Sequence, residues 1–265
     1  MKTEYQVTQP MEGIYQIANK VGNCCTLVVG EEKAILFDTM CGIGDLRGCV
    51  EELTNLPLIV INSHGHYDHI GGNYQFEAVY LNRLDWPSLD MLFPFLDEIQ
   101  SNMGVDLSDS RESYVMGDRV RDIAPGTVFA LGNITAEVIA LPGHTPGSIG
   151  LLLREKRLLL VGDAVSAQMC LFFPDSLDIE VYRATLRRLM QMDFDFFLQG
   201  HYLQLFSRQV LQKFWDCALL PDKKRGYPYR NTQIPEMKGL LYMLSLRDPE
   251  IDDMICIITK DRSMA

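Results

Sequence analysis

Within the stretch Ser63-His64-Gly65-His66-Tyr67-Asp68-His69 the chain sets three imidazoles and a carboxylate into six residues, directly after the apolar run Leu58-Ile59-Val60-Ile61. Imidazole and carboxylate are the side chains that suit first-row divalent ions, and no cysteine stands among them to make a thiolate-rich structural site. The pattern predicts a catalytic metal turn at the end of a buried strand. The chain has five histidines, and the two outside this turn repeat its context: Gly143-His144-Thr145-Pro146-Gly147 follows Val138-Ile139-Ala140-Leu141, and Gly200-His201 follows Phe196-Phe197-Leu198. Asp163, in Gly162-Asp163-Ala164, closes the run Leu158-Leu159-Leu160-Val161 in the same way. Seven ligand-type residues gathered at segment ends would be an unfavourable polar cluster without a cation, because buried unpaired carboxylates carry a large desolvation cost.

Taken in order, Leu36-Phe37-Asp38-Thr39, His-x-His-x-Asp-His, Gly-His-Thr-Pro-Gly, Gly-Asp and Gly-His resemble the motifs of the metallo-β-lactamase-fold hydrolase superfamily, over residues 34 to 201. The resemblance implies an α/β fold, a four-layer αββα sandwich of two mixed β-sheets flanked by helices. It also implies a binuclear centre in which His64, His66 and His144 hold one ion, Asp68, His69 and His201 hold the second, and Asp163 bridges them. The cofactors expected are two divalent metal ions, zinc first, with iron and manganese as alternatives. Two such ions lower the pKa of a shared water, so that a metal-bridging hydroxide attacks at ordinary pH. Asp68 is then the catalytic residue, both ligand and acceptor or orienter of the water's proton. Asp38 either accepts from a ligating imidazole, as the resemblance implies, or caps the turn after it; the sequence leaves these level.

The expected function is hydrolysis of a small ester, thioester or lactone. Asp163 argues against a true β-lactamase, which the resemblance places in a branch without this aspartate. The glyoxalase II-like branch shares the ligand set, yet Ser166-Ala167-Gln168-Met169-Cys170 replaces its glutathione-binding segment. The lactonase-like branch shares the ligands too, but its tyrosine has no clear counterpart between Ala164 and Cys170, Tyr182 being a spatial substitute at best. The alternative from another class is a mononuclear non-haem iron oxidoreductase resembling persulfide dioxygenases.

Length and composition set the remaining bounds. With 265 residues and 47% hydrophobic content the chain has ample core for one large domain. Its 24 basic and 35 acidic residues leave a net charge of −11, which disfavours nucleic acid, since phosphate contacts need clustered Lys and Arg. Partners are therefore expected to be a small-molecule substrate, with no nucleic acid and no membrane. Seven cysteines with no Cys-x-x-Cys spacing read as reduced packing thiols, and the absence of a signal or membrane-length apolar segment makes cytoplasmic the expected location.

The elements that must position these residues follow from periodicity. Residues 11–38 predict a β-meander, 43–53 a surface helix, and 127–161 a second set of strands with hairpin turns at Gly132-Asn133 and Glu155-Lys156. Ile179–Met192 and Gln204–Leu220 predict amphipathic helices. Domain boundaries are drawn at residues 1–221, with a helical or irregular insertion at 83–115, and a C-terminal extension, 222–265, packed on the same domain. In the insertion the cluster of Trp86, Met91, Leu92, Phe93, Phe95 and Leu96 either packs the segment down or, as a lid, brings Trp86 and Phe93 to substrate. The strong strand in Ile251–Lys260 either returns to a sheet edge or pairs with another chain, making a homo-oligomer. Lys223-Lys224-Arg225 reads as a solvated loop ahead of an anion site.

Overall fold

The computed structural model describes residues 5–261. The first sheet has seven strands in chain order: β1 (Gln6–Met11), β2 (Ile14–Ala18), β3 (Cys24–Val29), β4 (Ala34–Phe37), β5 (Leu58–Ile61), β6 (Val79–Tyr80) and β7 (Val120–Arg121). Its first four strands run antiparallel as the expected meander, and β4 to β7 are parallel. The β4–β5 crossover carries α1 (Leu46–Leu53), started by Asp45, whose side chain accepts from the Gly48 N–H at 2.8 Å. The metal turn opens into the one-turn α2 (Tyr67–Ile70), and the insertion contributes α3 (Trp86–Leu92) and α4 (Leu96–Met103).

The second sheet is built from β8 (Val128–Ala130), β9 (Thr135–Ala140), β10 (Ile149–Leu153), β11 (Leu158–Gly162), β13 (Phe196–Gln199) and β14 (Phe206–Ser207), in spatial order 14-13-11-10-9-8. A third sheet joins β12 (Gln168–Leu171) to the C-terminal strands β15 (Tyr227–Arg230), β16 (Lys238–Asp248) and β17 (Asp253–Thr259), in order 12-17-16-15. Helices α5 (Ile179–Leu189) and α6 (Leu211–Ala218) complete the α-helices among the described residues, with short 3-10 turns between elements. The second of these starts later than its periodicity suggests, because Phe206 and Ser207 pair with Phe197 and Phe196 as an edge strand before the helix begins.

Layering follows from which faces are apolar. Ile14, Val28, Ile35 and Phe37 of the first sheet meet Val138, Leu151, Leu160 and Leu198 of the second, so the two sheets share a dry interior. The opposite face of the first sheet buries Leu27, Leu36 and Val60 against Leu46 and Val50 of α1. On the far side of the second sheet, Leu159 and Phe197 pack with Tyr182 and Leu186 of α5, Phe214 of α6 and Ile255 and Ile257 of β17. This is the αββα sandwich, with a third sheet packed beside α5 and α6 on the outer side of the second.

The tail thus returns to its own chain: Gln168 to Leu171 pair in parallel with Cys256 to Thr259. Trp86 and Phe93 do not reach a substrate-facing position. The Trp86 indole donates to the Leu81 carbonyl, and Phe93 packs on Tyr114 and the Arg111 guanidinium. Leu92, Leu96 and Ile99 bury the insertion against Tyr67, Phe172 and Ile258, so packing is its main business. No helix among the described residues is long and apolar enough to cross a membrane.

Candidate metal centre

Strand register delivers each ligand-type residue. Phe37 pairs with Ile61 in the parallel β4–β5 ladder, which sets Asp38 beside the start of the metal turn; the Ser63 N–H and hydroxyl donate to Asp38 at 2.6 and 2.9 Å. The Ser63 carbonyl accepts from the Ile149 N–H of β10 at 2.9 Å, fastening the turn to the second sheet. In that sheet Gly162 is paired with Gln199, so Asp163 and His201 emerge side by side. Gly162 has φ +51°, and a Cβ there would lie 2.4 Å from the Ser63 hydroxyl oxygen, so only glycine lets β11 end this close to the metal turn.

All five histidines use one ring nitrogen outward. His64 Nδ1 meets the Ser63 hydroxyl at 2.9 Å, His66 Nε2 the Asp175 carboxylate at 3.2 Å, and His69 Nδ1 the Asp38 carboxylate at 2.8 Å. His144 Nδ1 meets the Cys170 carbonyl at 2.7 Å and His201 Nδ1 the Gly22 carbonyl at 3.3 Å. The other nitrogens converge. His144 Nε2 lies 2.9 Å from His66 Nδ1, and His201 Nε2 lies 3.1 Å from Asp163 and 3.5 Å from Asp68. Donor atoms of His64, His66 and His144 lie within 4.8 Å of one another, as do those of His64, His69 and Asp163, and those of Asp68, His69 and His201. Every residue named from the sequence is therefore in one cluster, and Asp163 stands between the two histidine groups.

The donor set fits metal ions. His64 Nε2, His69 Nε2 and Asp163 Oδ1 are buried with no hydrogen-bond partner, the last two facing each other at an ion-pair distance of 3.4 Å, and a buried polar group left wholly unsatisfied, as His64 Nε2 is, costs about 1–3 kcal/mol. A cation among them satisfies all three. The electrostatics agree. Burial alone would lower the His201 imidazole, yet Asp163 and Asp68 push it up to about 9. Burial opposes ionisation of Asp163 as well, but His201 and His69 hold it well below the usual carboxylate range. Burial, with the His66 ring beside it, takes His144 down to about 4. Carboxylates thus gather at the His69 and His201 end, while His64 and His144, both shifted down by burial, offer neutral imidazole lone pairs, and divalent ions accept both donor types.

Three carboxylates that position these ligands differ in how far the sequence announces them. Asp38, with φ +71° on a non-glycine residue, spends its carboxylate on His69 and Ser63 rather than on a helix cap. Asp175 was not legible: it lies in a loop, accepts from the Ser88 hydroxyl at 2.6 Å, and orients His66. Burial would raise Asp175, but His66 and Ser88 bring it down to about 2. Asp85, fully buried, accepts from the Gly65 N–H at 3.1 Å, the Thr145 hydroxyl at 2.6 Å and the Gly147 N–H at 2.5 Å. It locks the metal turn to the Gly143–Gly147 loop; burial still pushes its carboxyl up.

In front of the cluster is a cleft of about 280 Å³ whose floor includes Asp68, Asp163 and His201. The Phe173 ring lies 4.7 Å from that of His66 and 5.8 Å from that of His144, screening them on one side. Of the insertion, Leu92 reaches the cleft. Tyr182 does not: its ring is in the core behind the second sheet. Lys223, Lys224 and Arg225 are exposed and lie outside the cleft lining. A larger groove of about 780 Å³, between α1 and the β5–β6 edge, has no histidine or cysteine in its lining.

Sequence comparison agrees with the architecture. Residues 20–201 match the model of the metallo-beta-lactamase superfamily, and the chain belongs to that superfamily. Human acyl-coenzyme A thioesterase MBLAC2 is 27% identical over 200 residues, covering 68% of this chain and 71% of the relative. The hydroxyacylglutathione hydrolase GloC of Haemophilus influenzae is 29% identical over 146 residues, 54% of this chain and 66% of the relative. Both relatives carry hydrolase names other than β-lactamase. Among solved structures, an archaeal superfamily protein from Sulfolobus tokodaii superposes with a TM-score of 0.60 at 18% identity, over 82% of this chain and 89% of that one. A metallo-beta-lactamase from Pontibacter korlensis gives 0.58 at 19%, over 81% and 98%. At these identities the structures speak for the fold.

Proposed function

We propose that this protein is a binuclear metal-dependent hydrolase of a small ester, thioester or lactone. The observation that carries the reading is the convergence of two donor triads on the unpartnered atoms His64 Nε2, His69 Nε2 and Asp163 Oδ1. His64, His66 and His144 would hold one ion, Asp68, His69 and His201 the other, and Asp163 would serve both, with zinc the first candidate. Divalent ions held there supply Lewis acidity toward a carbonyl oxygen and lower the pKa of coordinated water toward neutrality.

The chain's own groups do the rest. Asp68, 16% exposed at the cleft floor, faces His69 and His201 with Oδ2; its other oxygen, Oδ1, orients the attacking water and takes its proton, then returns it to the departing alkoxide or thiolate. Asp38, Asp175 and Ser63 fix the ring orientations, so the inward lone pairs are aimed before substrate arrives. Phe173 keeps bulk water from the His66 and His144 rings. The thioester hydrolases among the relatives support this reading and its reaction class over the single-iron oxidoreductase, which would use the same motif residues.

The test is turnover of p-nitrophenyl esters, phenyl thioesters and γ-lactones by zinc-loaded protein. Activity on at least one class, lost with chelator and regained with zinc, is expected. No turnover of any class by protein that carries its metal would contradict the reading.

A further inference from the structure

The cleft has two walls of different origin. One is the metal turn and its neighbours; the other comes from the chain after Leu220 and includes Tyr229, Asn231 and Gln233. The turn at Asn231–Gln233 is held from three sides. Asn231 Oδ1 accepts from the N–H groups of Gln233 and Ile234 at 2.8 and 2.7 Å, closing an Asx turn. The Gln233 carbonyl accepts from Asn102 Nδ2 of α4 at 2.9 Å, and Gln233 Oε1 accepts from the Tyr67 hydroxyl at 2.7 Å. Tyr67 sits between His66 and Asp68, so this last bond ties the tail directly to the metal turn.

Gln233 lines the cleft, and with its oxygen occupied by Tyr67 the hydrogen-bonding group its side chain has left to offer is the amide NH₂. Apart from the ligand-type residues His66, Asp68, His144, Asp163 and His201, the lining is apolar or neutral, including Leu92, Cys170, Phe173 and Tyr229. Among the described residues no lysine or arginine lines the cleft, and a net charge of −11 offers no long-range attraction to an anion. An anionic group brought into such a cleft beyond reach of the ions would be desolvated without a partner.

Building on the hydrolase reading, we propose that Gln233 determines specificity and that the cleft takes an uncharged arm of the substrate, Gln233 donating to a neutral oxygen on that arm while Phe173 and Leu92 pack its apolar part. The volume suits a short arm, since about 280 Å³ lies just under the ~300–1,000 Å³ of drug-sized sites.

Calorimetric binding to zinc-loaded protein tests this without requiring turnover, using three inert anilides: butyranilide, 3-methoxypropionanilide and 3-sulfopropionanilide. The sulfonate is chosen because it is a weak metal ligand. Both uncharged anilides are expected to bind at least about tenfold tighter than the sulfonate. Gln233→Met should weaken the methoxy ligand about three- to tenfold relative to butyranilide, the size of one neutral hydrogen bond; because the variant also removes the acceptor of the Tyr67 hydroxyl, the ratio of the two affinities is the readout and urea unfolding checks the fold. Gln233→Lys should bring the sulfonate up by about tenfold relative to butyranilide. Equal binding of the sulfonate to wild type, failure of the uncharged ligands to bind, or ratios unmoved by both substitutions would overturn the proposal. If the anilides follow the expected pattern while their ester counterparts are not cleaved, the hydrolase reading falls and the cleft assignment stands.

Discussion

Asp38 shows how much a single carboxylate decides here. It holds a positive φ, receives two hydrogen bonds from Ser63 and aims His69, so Asp38→Ala should leave a ligand free to rotate. Metal affinity is expected to drop about 10–100-fold, measured by competition with a chromogenic chelator; an unchanged affinity would assign Asp38 to backbone support alone. Asp175→Asn makes a second case, because the amide presents His66 with a weaker acceptor, and a smaller loss of the same kind is expected. The ligands themselves were legible because four of them lie together in the turn after the apolar run Leu58–Ile61, and His144, Asp163 and His201 each follow a glycine at the end of an apolar run. Asp85 and Asp175 were not, since Asp85 stands just before α3 and Asp175 in a turn, both with partners far away in sequence, and such a carboxylate reads as a helix cap or turn residue until the fold brings Gly65, Thr145 or His66 to it.

At the scale of elements, the metal turn is shaped by what lies under it. Gly71 ends α2 where a Cβ would lie 2.4 Å from the Cys41 carbonyl carbon, inside backbone that cannot yield. Gly71→Ala is expected to cost about 2–4 kcal/mol in urea unfolding; a loss under about 0.5 kcal/mol would mean that the turn relaxes. The meander, the two hairpins and α5 follow from short-range pattern, and they were legible for that reason. The third sheet was not. Its parallel ladder joins β12 to a strand more than eighty residues later, and β16 alternates poorly between buried and exposed positions, so neither strand announces its partner. That sheet matters to the site because the Cys170 carbonyl of β12 orients His144. Ile257→Ala, in the β17 core, should therefore destabilise the fold by about 2–4 kcal/mol and loosen metal binding together with it; loss of stability with metal affinity intact would uncouple the two.

The whole molecule is an acidic αββα sandwich whose tail packs into the second sheet's outer core and also walls the cleft. Its acid sensitivity should show where tail and body are tied by charge. Asp248 of β16 accepts from Lys213 of α6 at 2.7 and 2.8 Å. Burial opposes the charge on Asp248, but the Lys213 ammonium and the Glu250 N–H lower its carboxyl below the usual range. A carboxyl lowered in the folded state contributes stability above its unfolded pKa of ~3.9, and that contribution disappears as pH falls through the lower folded value. Asp248→Asn should thus lower stability at pH 7 and flatten its fall below about pH 4, read by urea unfolding at successive pH values; parallel curves for wild type and variant would remove the pair from the account.

The central claim is that one chain holds two ions on seven side chains, and native mass spectrometry of zinc-loaded, desalted protein tests it most directly, with Asp163→Ala alongside. Two ions per chain are expected for the wild type, and fewer than two for the variant, because Asp163 stands between both histidine groups. A wild type that takes a single ion, or a variant that keeps both, would contradict the account.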